Sequence, residues 1–258
     1  MSQKPNPQKP PLKPLKWYLK LAARKGRLEA DAFIVEGERA VRQVVESLPE
    51  EILEIVTVEG LATPYPRYPH RTVTVSQFRS ISQAQTPQGL LAVVRPPWQT
   101  YTDNLPLDPG RRLLLLEDIQ DPGNVGTLIR TAAAFDFSGV ILTEKSADPF
   151  SPKCVQASAG SVLSVWLRRT DEYLEMVKAL KKRGYFVVAA DLNGKEGTSA
   201  FDKRRLVLLA LGNEAAGLSE EMLAVSDYQL KLPIVREKAE SLNVAACGAI
   251  FMYLATRK

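Results

Sequence analysis

The stretch LLLLEDIQDPGNVGTLIRTAAAF, residues 113–135, decides the fold class of this protein. Four consecutive leucines predict a strand buried on both faces, as in a parallel sheet that is covered by helices on both sides. Pro122 and Gly123 predict a tight turn, and Asn124 is suited to cap a helix over 124–135. The unit is therefore strand–turn–helix, with polar side chains at the carboxyl end of the strand, where such sheets bind ligands.

The rest of the second half repeats this alternation. Strands are predicted at 139–143, 165–169, 185–191, 205–212 and 228–234, and helices at 153–162, 171–184, 219–226 and from Ser241 onward. Such a pattern is typical of an open parallel sheet with helices on both faces. The last helix, VAACGAIFMYLA (244–255), is apolar nearly all round, which predicts either deep burial or a subunit interface.

The first half predicts a basic tail and a smaller α/β unit. Residues 1–14 are rich in proline and lysine and are expected to be disordered, and residues 15–95 form the unit. Within it we predict strands at 33–37, 51–59, 72–76 and 90–97 and a helix at 38–48. Residues 96–111, with four prolines and no periodicity, are predicted to link this unit to a domain over 112–258.

Charge and composition narrow the classes of function. The 258 residues carry a net charge of +5, and residues 1–27 alone carry +8, so the remainder sums to −3. A concentrated basic segment indicates either nucleic-acid binding or a solubilising tail, and charge alone leaves both open. Two cysteines and one histidine, His70, which we interpret as a loop residue, predict no metal site. The absence of a long apolar run or a secretory leader predicts no membrane association and a cytoplasmic location.

Two further strand ends carry unusual loops. In LALGNEAAGLSEEM (209–222), Gly212 allows a close backbone approach to a ligand and Glu214 places a carboxylate at the strand end. In LPIVREKAESLNVAA (232–246), Ser241 or Asn243 can cap the last helix. Neither a GxGxxG fingerprint nor a Walker loop is present. Taken alone, Arg130 is either an ordinary surface arginine on a capped helix or a cation that faces the strand-end crevice.

The set N-x-G-x-x-x-R, G-N-E-x-x-G-L and S-L-N-V-A-A, in this order, resembles the three motifs of the SpoU (TrmH-type) RNA 2′-O-ribose methyltransferases of the SPOUT superfamily. The resemblance spans about 112–258. The segment KLAARKGRLEADAFIVEGERAV (20–41) resembles the family's RNA substrate-binding domain, a small ribosomal-protein-like α/β fold. The resemblance implies a deep trefoil knot in the C-terminal domain, S-adenosylmethionine as cofactor, and a homodimer.

The resemblance also assigns site residues. The catalytic set is Arg130, Asn124, Glu214, Ser241 and Asn243, and the cofactor pocket is lined by Gly212, Leu232 and Leu242. Because a free guanidinium is a poor base, we favour Arg130 as a cation that holds the RNA and stabilises a developing alkoxide, although the family's arginine has also been proposed as a base. Residues of the second subunit complete the site in the family.

The third motif departs from the family pattern. The loop 234–240 lacks the usual glycine, is one residue longer, and contains Arg236, Glu237 and Lys238, so the cofactor pocket is expected to differ in detail from the family's. A catalytically silent RNA-binding member that acts in ribosome assembly is the alternative function, and a nucleotide-using α/β enzyme is a third. With the resemblance, the basic segment favours RNA, and ribosomal RNA is the expected substrate. The predicted RNA contacts are Lys20, Arg24, Lys25 and Arg27.

Overall fold

The computed structural model of the protein describes residues 13–84, 86–197, 201, 206–235, 237–238 and 240–257. The chain divides into two compact units, with the boundary between Pro96 and Pro97. The predictions for most of the tail 1–14, and for Arg236 in the third motif, therefore lie outside the described residues.

The first unit is a four-stranded mixed sheet with helices. The elements are α1 (Leu15–Lys20), α2 (Arg24–Ala30), β1 (Phe33–Glu36), α3 (Glu38–Ser47), β2 (Ile52–Val58), β3 (His70–Val73), α4 (Val75–Ile81) and β4 (Leu90–Val94), with a short 3₁₀ turn at Pro49–Glu51. The strand order is β1-β4-β2-β3; β4 runs antiparallel to both of its neighbours, and β3 runs parallel to β2. Its core includes Tyr18, Leu21 and Phe78, so α1 and α4 are integral to the unit.

The second unit is a six-stranded sheet with every described strand pair parallel. Its elements are β5 (Arg112–Leu116), α5 (Pro122–Ala134), β6 (Gly139–Leu142), α6 (Pro152–Ser158), β7 (Trp166–Arg169), α7 (Tyr173–Lys182), β8 (Phe186–Lys195), β9 (Val207–Leu211), α8 (Glu220–Val225), β10 (Tyr228–Leu230) and α9 (Val244–Thr256), with 3₁₀ turns at Trp98–Tyr101 and Ser161–Leu163. The strand order is β10-β8-β9-β5-β6-β7.

Both faces of this sheet are covered by helices. Leu113 and Leu115 of β5 pack with side chains of α7 and α8 on one face. On the other face, a side chain at Gly248 of α9 would lie 2.7 Å from Leu211 of β9 and 2.4 Å from Leu128 of α5, so α9 lies tightly against both elements. All four leucines of 113–116 are fully buried. The α/β class with a parallel sheet is confirmed, and the trefoil knot stays a prediction.

Several local predictions were wrong for identifiable reasons. The strand predicted at 72–76 is β3 at His70–Val73, and α4 follows it because Thr74 and Gln77 form a capping box. His70 lies in β3 rather than in a loop, and its Nε2 lies 2.8 Å from Thr57 Oγ1.

The segment predicted as a linker is hydrogen-bonded to the edge of the second unit. The carbonyl of Asn104 accepts from Arg168 Nε at 2.6 Å, and the carbonyl of Pro109 accepts from Trp166 Nε1 at 3.0 Å. Both donors lie on β7, so this segment runs alongside the edge strand of the parallel sheet.

Candidate functional site

The site begins at the turn after β5, where the helix cap differs from the predicted one. Asp121, not Asn124, is the N-cap of α5, and its Oδ1 accepts from the Asn124 backbone N–H at 2.9 Å. Pro122 is the first residue of the helix, where its missing N–H is not needed, so no separate turn at Pro122 and Gly123 exists. Because Asp121 does the capping, the side chain of Asn124 is available for other contacts.

Three predicted site residues are joined by hydrogen bonds. Asn124 Nδ2 donates to Glu214 Oε1 at 2.9 Å, and Asn243 Nδ2 donates to Asn124 Oδ1 at 3.1 Å. These residues follow β5, β9 and β10 respectively and are separated by 90 and 119 positions in sequence. The structure thus brings together one side chain from each of the three strand-end loops.

The direction of this hydrogen-bond chain is fixed from one end. Asn243 is the N-cap of α9, and its Oδ1 accepts from the backbone N–H groups of Ala245 and Ala246 at 2.9 and 3.3 Å. Its amide nitrogen must therefore point away from the helix and donate to Asn124. The Asn124 amide is oriented in turn, and its nitrogen donates to the Glu214 carboxylate, which needs to be an acceptor.

The loop that carries Glu214 is folded tightly on itself. Asn213 Oδ1 accepts from the N–H groups of Ala215 and Ala216, each at 3.0 Å, and the Asn213 carbonyl accepts from Gly217 N–H at 2.9 Å. Gly217 has φ +73°, a conformation that favours glycine. A side chain at Gly212 would lie 2.2 Å from the Gly217 backbone, so the close approach that this glycine allows is to its own loop.

Within the described structure, Arg130 and Ser241 lie outside this set of hydrogen-bonded side chains. Arg130 is exposed on α5, six residues after Asn124, which is about 9 Å along the axis and about 120° around it. Ser241 is exposed just before the start of α9. Within the described part of the chain, no hydrogen bond or ion pair joins either residue to Asn124, Glu214 or Asn243. Their predicted roles stay predictions.

Two of the three predicted cofactor residues, Leu232 and Leu242, lie in the loop between β10 and α9. Leu242 is 40% exposed and Val235 is 59% exposed, both in the loop between β10 and α9, and Leu232 is half-buried there. Partly exposed apolar side chains after the carboxyl end of a parallel strand suit the faces of a flat ring such as adenine. The residues present therefore fit S-adenosylmethionine.

The sequence analysis did not predict two polar features of the site. Lys153 Nζ lies 2.6 Å from Asp121 Oδ2, and this contact, together with the Asn124 N–H, lowers the pKa of the Asp121 carboxyl. Glu117, the residue after β5, is buried and accepts hydrogen bonds from Tyr173 and Ser219. Burial, followed by the bond to Glu117, raises the pKa of Tyr173 to about 12. A carboxylate directly after a run of buried leucines was the available signal for Glu117.

The predicted RNA contacts are divided by the structure. Lys20, Arg24 and Lys25 are exposed on α1 and α2. The prediction that Arg27 contacts RNA was wrong, because Arg27 is only 6% exposed. Its Nη1 donates to the carbonyls of Leu21 and Ala22, both at 2.9 Å. A guanidinium turned into the unit and bound to its backbone stabilises the turn between the two helices and does not face RNA.

Across the residues that the structure describes, there is no group of three or more His, Cys, Asp or Glu side chains placed to hold a metal ion. None of the described helices has the length and apolarity needed to cross a membrane.

Comparison with known proteins identifies both units. Residues 111–253 match the model of the SpoU rRNA Methylase family, and residues 13–92 match that of the MRM3-like substrate binding domain. The chain is 31% identical over 246 residues to the 23S rRNA (guanosine(2553)-2′-O)-methyltransferase RlmP of Bacillus subtilis, covering 93% of this chain and 94% of that protein. It is 29% identical to a 23S rRNA (uridine(2479)-2′-O)-methyltransferase of Streptomyces viridochromogenes, covering 94% and 88%. The crystal structure of the SpoU methyltransferase AviRb from Streptomyces viridochromogenes in complex with AdoMet superposes with a TM-score of 0.80 at 27% identity, covering 93% and 95%.

Proposed function

Because the chain belongs to the SpoU rRNA Methylase family, we propose that it transfers a methyl group from S-adenosylmethionine to a ribose 2′-hydroxyl of ribosomal RNA. The observation that carries this function is the hydrogen-bonded set of Asn124, Glu214 and Asn243, drawn from three separate strand ends. A catalytically silent member would not need these polar side chains to converge, and that alternative is not supported.

The cofactor is held by the loops at the carboxyl end of the sheet. S-adenosylmethionine supplies an electrophilic methyl group on a sulfonium. Leu232 and Leu242 are the residues that would contact its adenosine, and Gly212 allows the loop after β9 to fold to one side of that surface. The hydrogen bonds to Asn213 Oδ1 hold the backbone of this loop in a tight turn.

The polar side chains then position the ribose. With the nucleophile and the methyl group held in line, alignment and removal of the hydroxyl proton are the remaining tasks. Glu214, with one oxygen fixed by Asn124, has its second oxygen available to a hydroxyl of the sugar. Asn243 and Ser241, at the start of α9, can orient the ribose by hydrogen bonds. Arg130 is always charged, so it suits a contact to the phosphate next to the target ribose.

Arg130 fits a site that is shared between two copies of the chain. Arg130 is exposed on α5, about 120° around the helix from Asn124, which contacts Glu214. Alongside it, α9 exposes Ile250 and Tyr253, which are 42% and 50% exposed and lie on one stripe of the helix. We propose that α9 and α5 form a homodimer interface and that Arg130 of one protomer serves the site of the other.

RNA is held in addition by the first unit. The exposed cations Lys20, Arg24 and Lys25 lie on consecutive helices and form a surface suited to phosphates. The two named relatives act on a guanosine and on a uridine of 23S rRNA, so their names favour ribosomal RNA without fixing the base. A ribosomal RNA substrate is consistent with the predicted cytoplasmic location.

The activity is tested by transfer of a labelled methyl group from S-adenosylmethionine to ribosomal RNA, followed by mapping of the 2′-O-methylated position. Arg130→Ala should lower the rate about 100-fold or more, as for loss of a charge that stabilises the transition state. The matched control is Arg111→Ala, since Arg111 is exposed at the opposite end of β5 and should have little effect. No transfer by the unchanged protein to any ribosomal RNA would refute the proposal.

The contribution of the tail to RNA binding has to be tested with a deletion that leaves the folded core intact. Tyr18 and Leu21 are fully buried, so removal of residues 1–27 would remove part of the core. Deletion of residues 1–12 leaves the described structure whole. It should weaken RNA binding and flatten its salt dependence, because a protein that neutralises fewer phosphates releases fewer counterions when it binds.

A further inference from the structure

The first observation is a buried carboxylate next to the site. Glu117 follows the last residue of β5 and is only 4% exposed. Its backbone N–H still donates to the carbonyl of Leu211, so it continues the pairing of β5 with β9. A buried carboxylate is costly unless hydrogen bonds satisfy its oxygens, so its partners indicate what it is there for.

Two of its three hydrogen-bond donors belong to one residue of the neighbouring loop. The Ser219 backbone N–H donates to Glu117 Oε2 at 2.9 Å, and Ser219 Oγ donates to Oε1 at 2.6 Å. The hydroxyl of Tyr173 also donates to Oε1. Ser219 is at the same time the N-cap of α8 and accepts from Met222 N–H at 3.1 Å. Glu117 therefore fixes the point at which the loop after β9 ends.

The residue after Glu117 fixes the other end of that loop. The Asp118 carbonyl accepts from Asn213 Nδ2 at 2.8 Å, and Asn213 in turn holds the backbone of Ala215 and Ala216. Two consecutive residues after β5 thus hold both ends of the segment 213–219. Glu214 lies within this segment, one residue beyond its first fixed point, and meets Asn124 of α5.

We propose that Glu117 is a positioning residue for methyl transfer: it acts through Ser219 to set the loop in which Glu214 meets Asn124. This inference rests on the proposed function. The Glu117 carboxylate is turned to Ser219 and Tyr173, and its effect is transmitted by the backbone of 213–219. Because Gly212 leads directly into the same loop, the contact also sets one side of the surface proposed for the cofactor.

The test compares Glu117→Gln with a matched variant, Tyr173→Phe. A glutamine has one acceptor oxygen and an amide that donates, so either the Ser219 N–H loses its acceptor or the Ser219 hydroxyl must turn to accept, and in both cases the bonds lose the charge of the carboxylate. Tyr173→Phe removes the third donor, on α7, together with its 3.5 Å contact to Ser219 Oγ, and leaves both bonds from Ser219 to Glu117. Both variants should lower the melting temperature, but only Glu117→Gln should release the loop.

Two readouts separate the outcomes. In hydrogen exchange, the amides of 215–217 should exchange at least about tenfold faster in Glu117→Gln and be unchanged in Tyr173→Phe. In methyl transfer, kcat should fall about 10- to 100-fold in Glu117→Gln at unchanged KM for RNA, and stay within about twofold in Tyr173→Phe. If Glu117→Gln does not fold, Ser219→Ala, which keeps the backbone bond, should show the same pattern to a smaller degree.

Equal effects of Glu117→Gln and Tyr173→Phe on kcat, or unchanged exchange of 215–217, would overturn the positioning role. An unchanged protein that transfers no methyl group would instead refute the proposed function. In that case faster exchange confined to Glu117→Gln would still show that Glu117 holds the loop.

Discussion

Asn124→Asp tests the hydrogen-bond chain directly, because the two side chains have nearly the same shape. The change keeps an acceptor for Asn243 but replaces the donor 2.9 Å from Glu214 Oε1 by a second carboxylate oxygen. Two charges about 3 Å apart repel by about 1.4 kcal/mol in bulk water and more as the local dielectric falls. Loss of the hydrogen bond to a charged acceptor adds about 1.5 kcal/mol.

The two contributions sum to about 3 kcal/mol, and the exposed Glu214 side chain recovers part of this by turning away from the new carboxylate. We therefore expect kcat to fall about 10- to 100-fold. The melting temperature should change little, since an added negative charge in the first turn of α5 is favourable to the helix dipole. Single-turnover transfer of a labelled methyl group to ribosomal RNA measures the rate, and Gln99→Glu, at an exposed position, is the control for the added charge.

The pH dependence of the Asn124→Asp rate is a more specific test than the rate at a single pH. Two adjacent carboxyl groups bind one proton more tightly than either would alone, so one pKa of the pair is raised. As the pH falls from about 8 to about 5.5, the shared proton supplies a donor again, and the ratio of the Asn124→Asp rate to the wild-type rate should rise. A ratio that stays flat across this range, or a rate equal to wild type, would refute the idea that Asn124 acts as the donor to Glu214.

Three further predictions follow from packing and exposure. Gly248→Val would place its first side-chain atom 2.4 and 2.7 Å from two leucine methyl groups, so thermal unfolding should show a loss of about 1–3 kcal/mol, and an unchanged melting temperature would contradict the packing of α9. Tyr253→Glu should give a monomer in sedimentation with an unchanged circular dichroism spectrum, whereas a persistent dimer would place the interface elsewhere. Arg27→Ala should lower stability by about 1–3 kcal/mol through loss of its bonds to two carbonyls, whereas Lys20→Ala should leave stability unchanged and reduce the salt slope of RNA binding by about 1.

The sequence predicted the sheet because its signals there are local. Four leucines in succession, all fully buried, indicated β5, and the alternation of strands with helices indicated the parallel order around it. The sequence also contained local signals that would have corrected two of the wrong predictions. Pro122 at the first helical position points to Asp121 as the cap, and Thr74 followed by Gln77 is a capping box that starts α4.

Other features depend on tertiary contacts and have no local signature. Arg27 lies in the segment RKGR (24–27), a pattern that is typical of an exposed basic cluster. In the structure its guanidinium is bound to the carbonyls of Leu21 and Ala22, and Gly26 beside it packs closely against the carbonyl of Lys20. The partners of Glu117 lie 56 and 102 positions away, so its role becomes visible only when the sheet is assembled.

The geometry of the site also explains why it is tied to the integrity of the second unit. Glu214 reaches Asn124 only if β9 pairs with β5 in the observed register, which places Leu211 beside Leu116. A slip of one residue would turn the buried leucines of β9 to the other face of the sheet, so the hydrophobic core enforces the register. Because Glu117 contacts Ser219 and Asp118 contacts Asn213, this register also determines where the Glu214 carboxylate lies. The geometry of the proposed site is therefore a direct consequence of strand pairing, and variants that loosen the pairing of β5 with β9 should lose methyl transfer before they unfold.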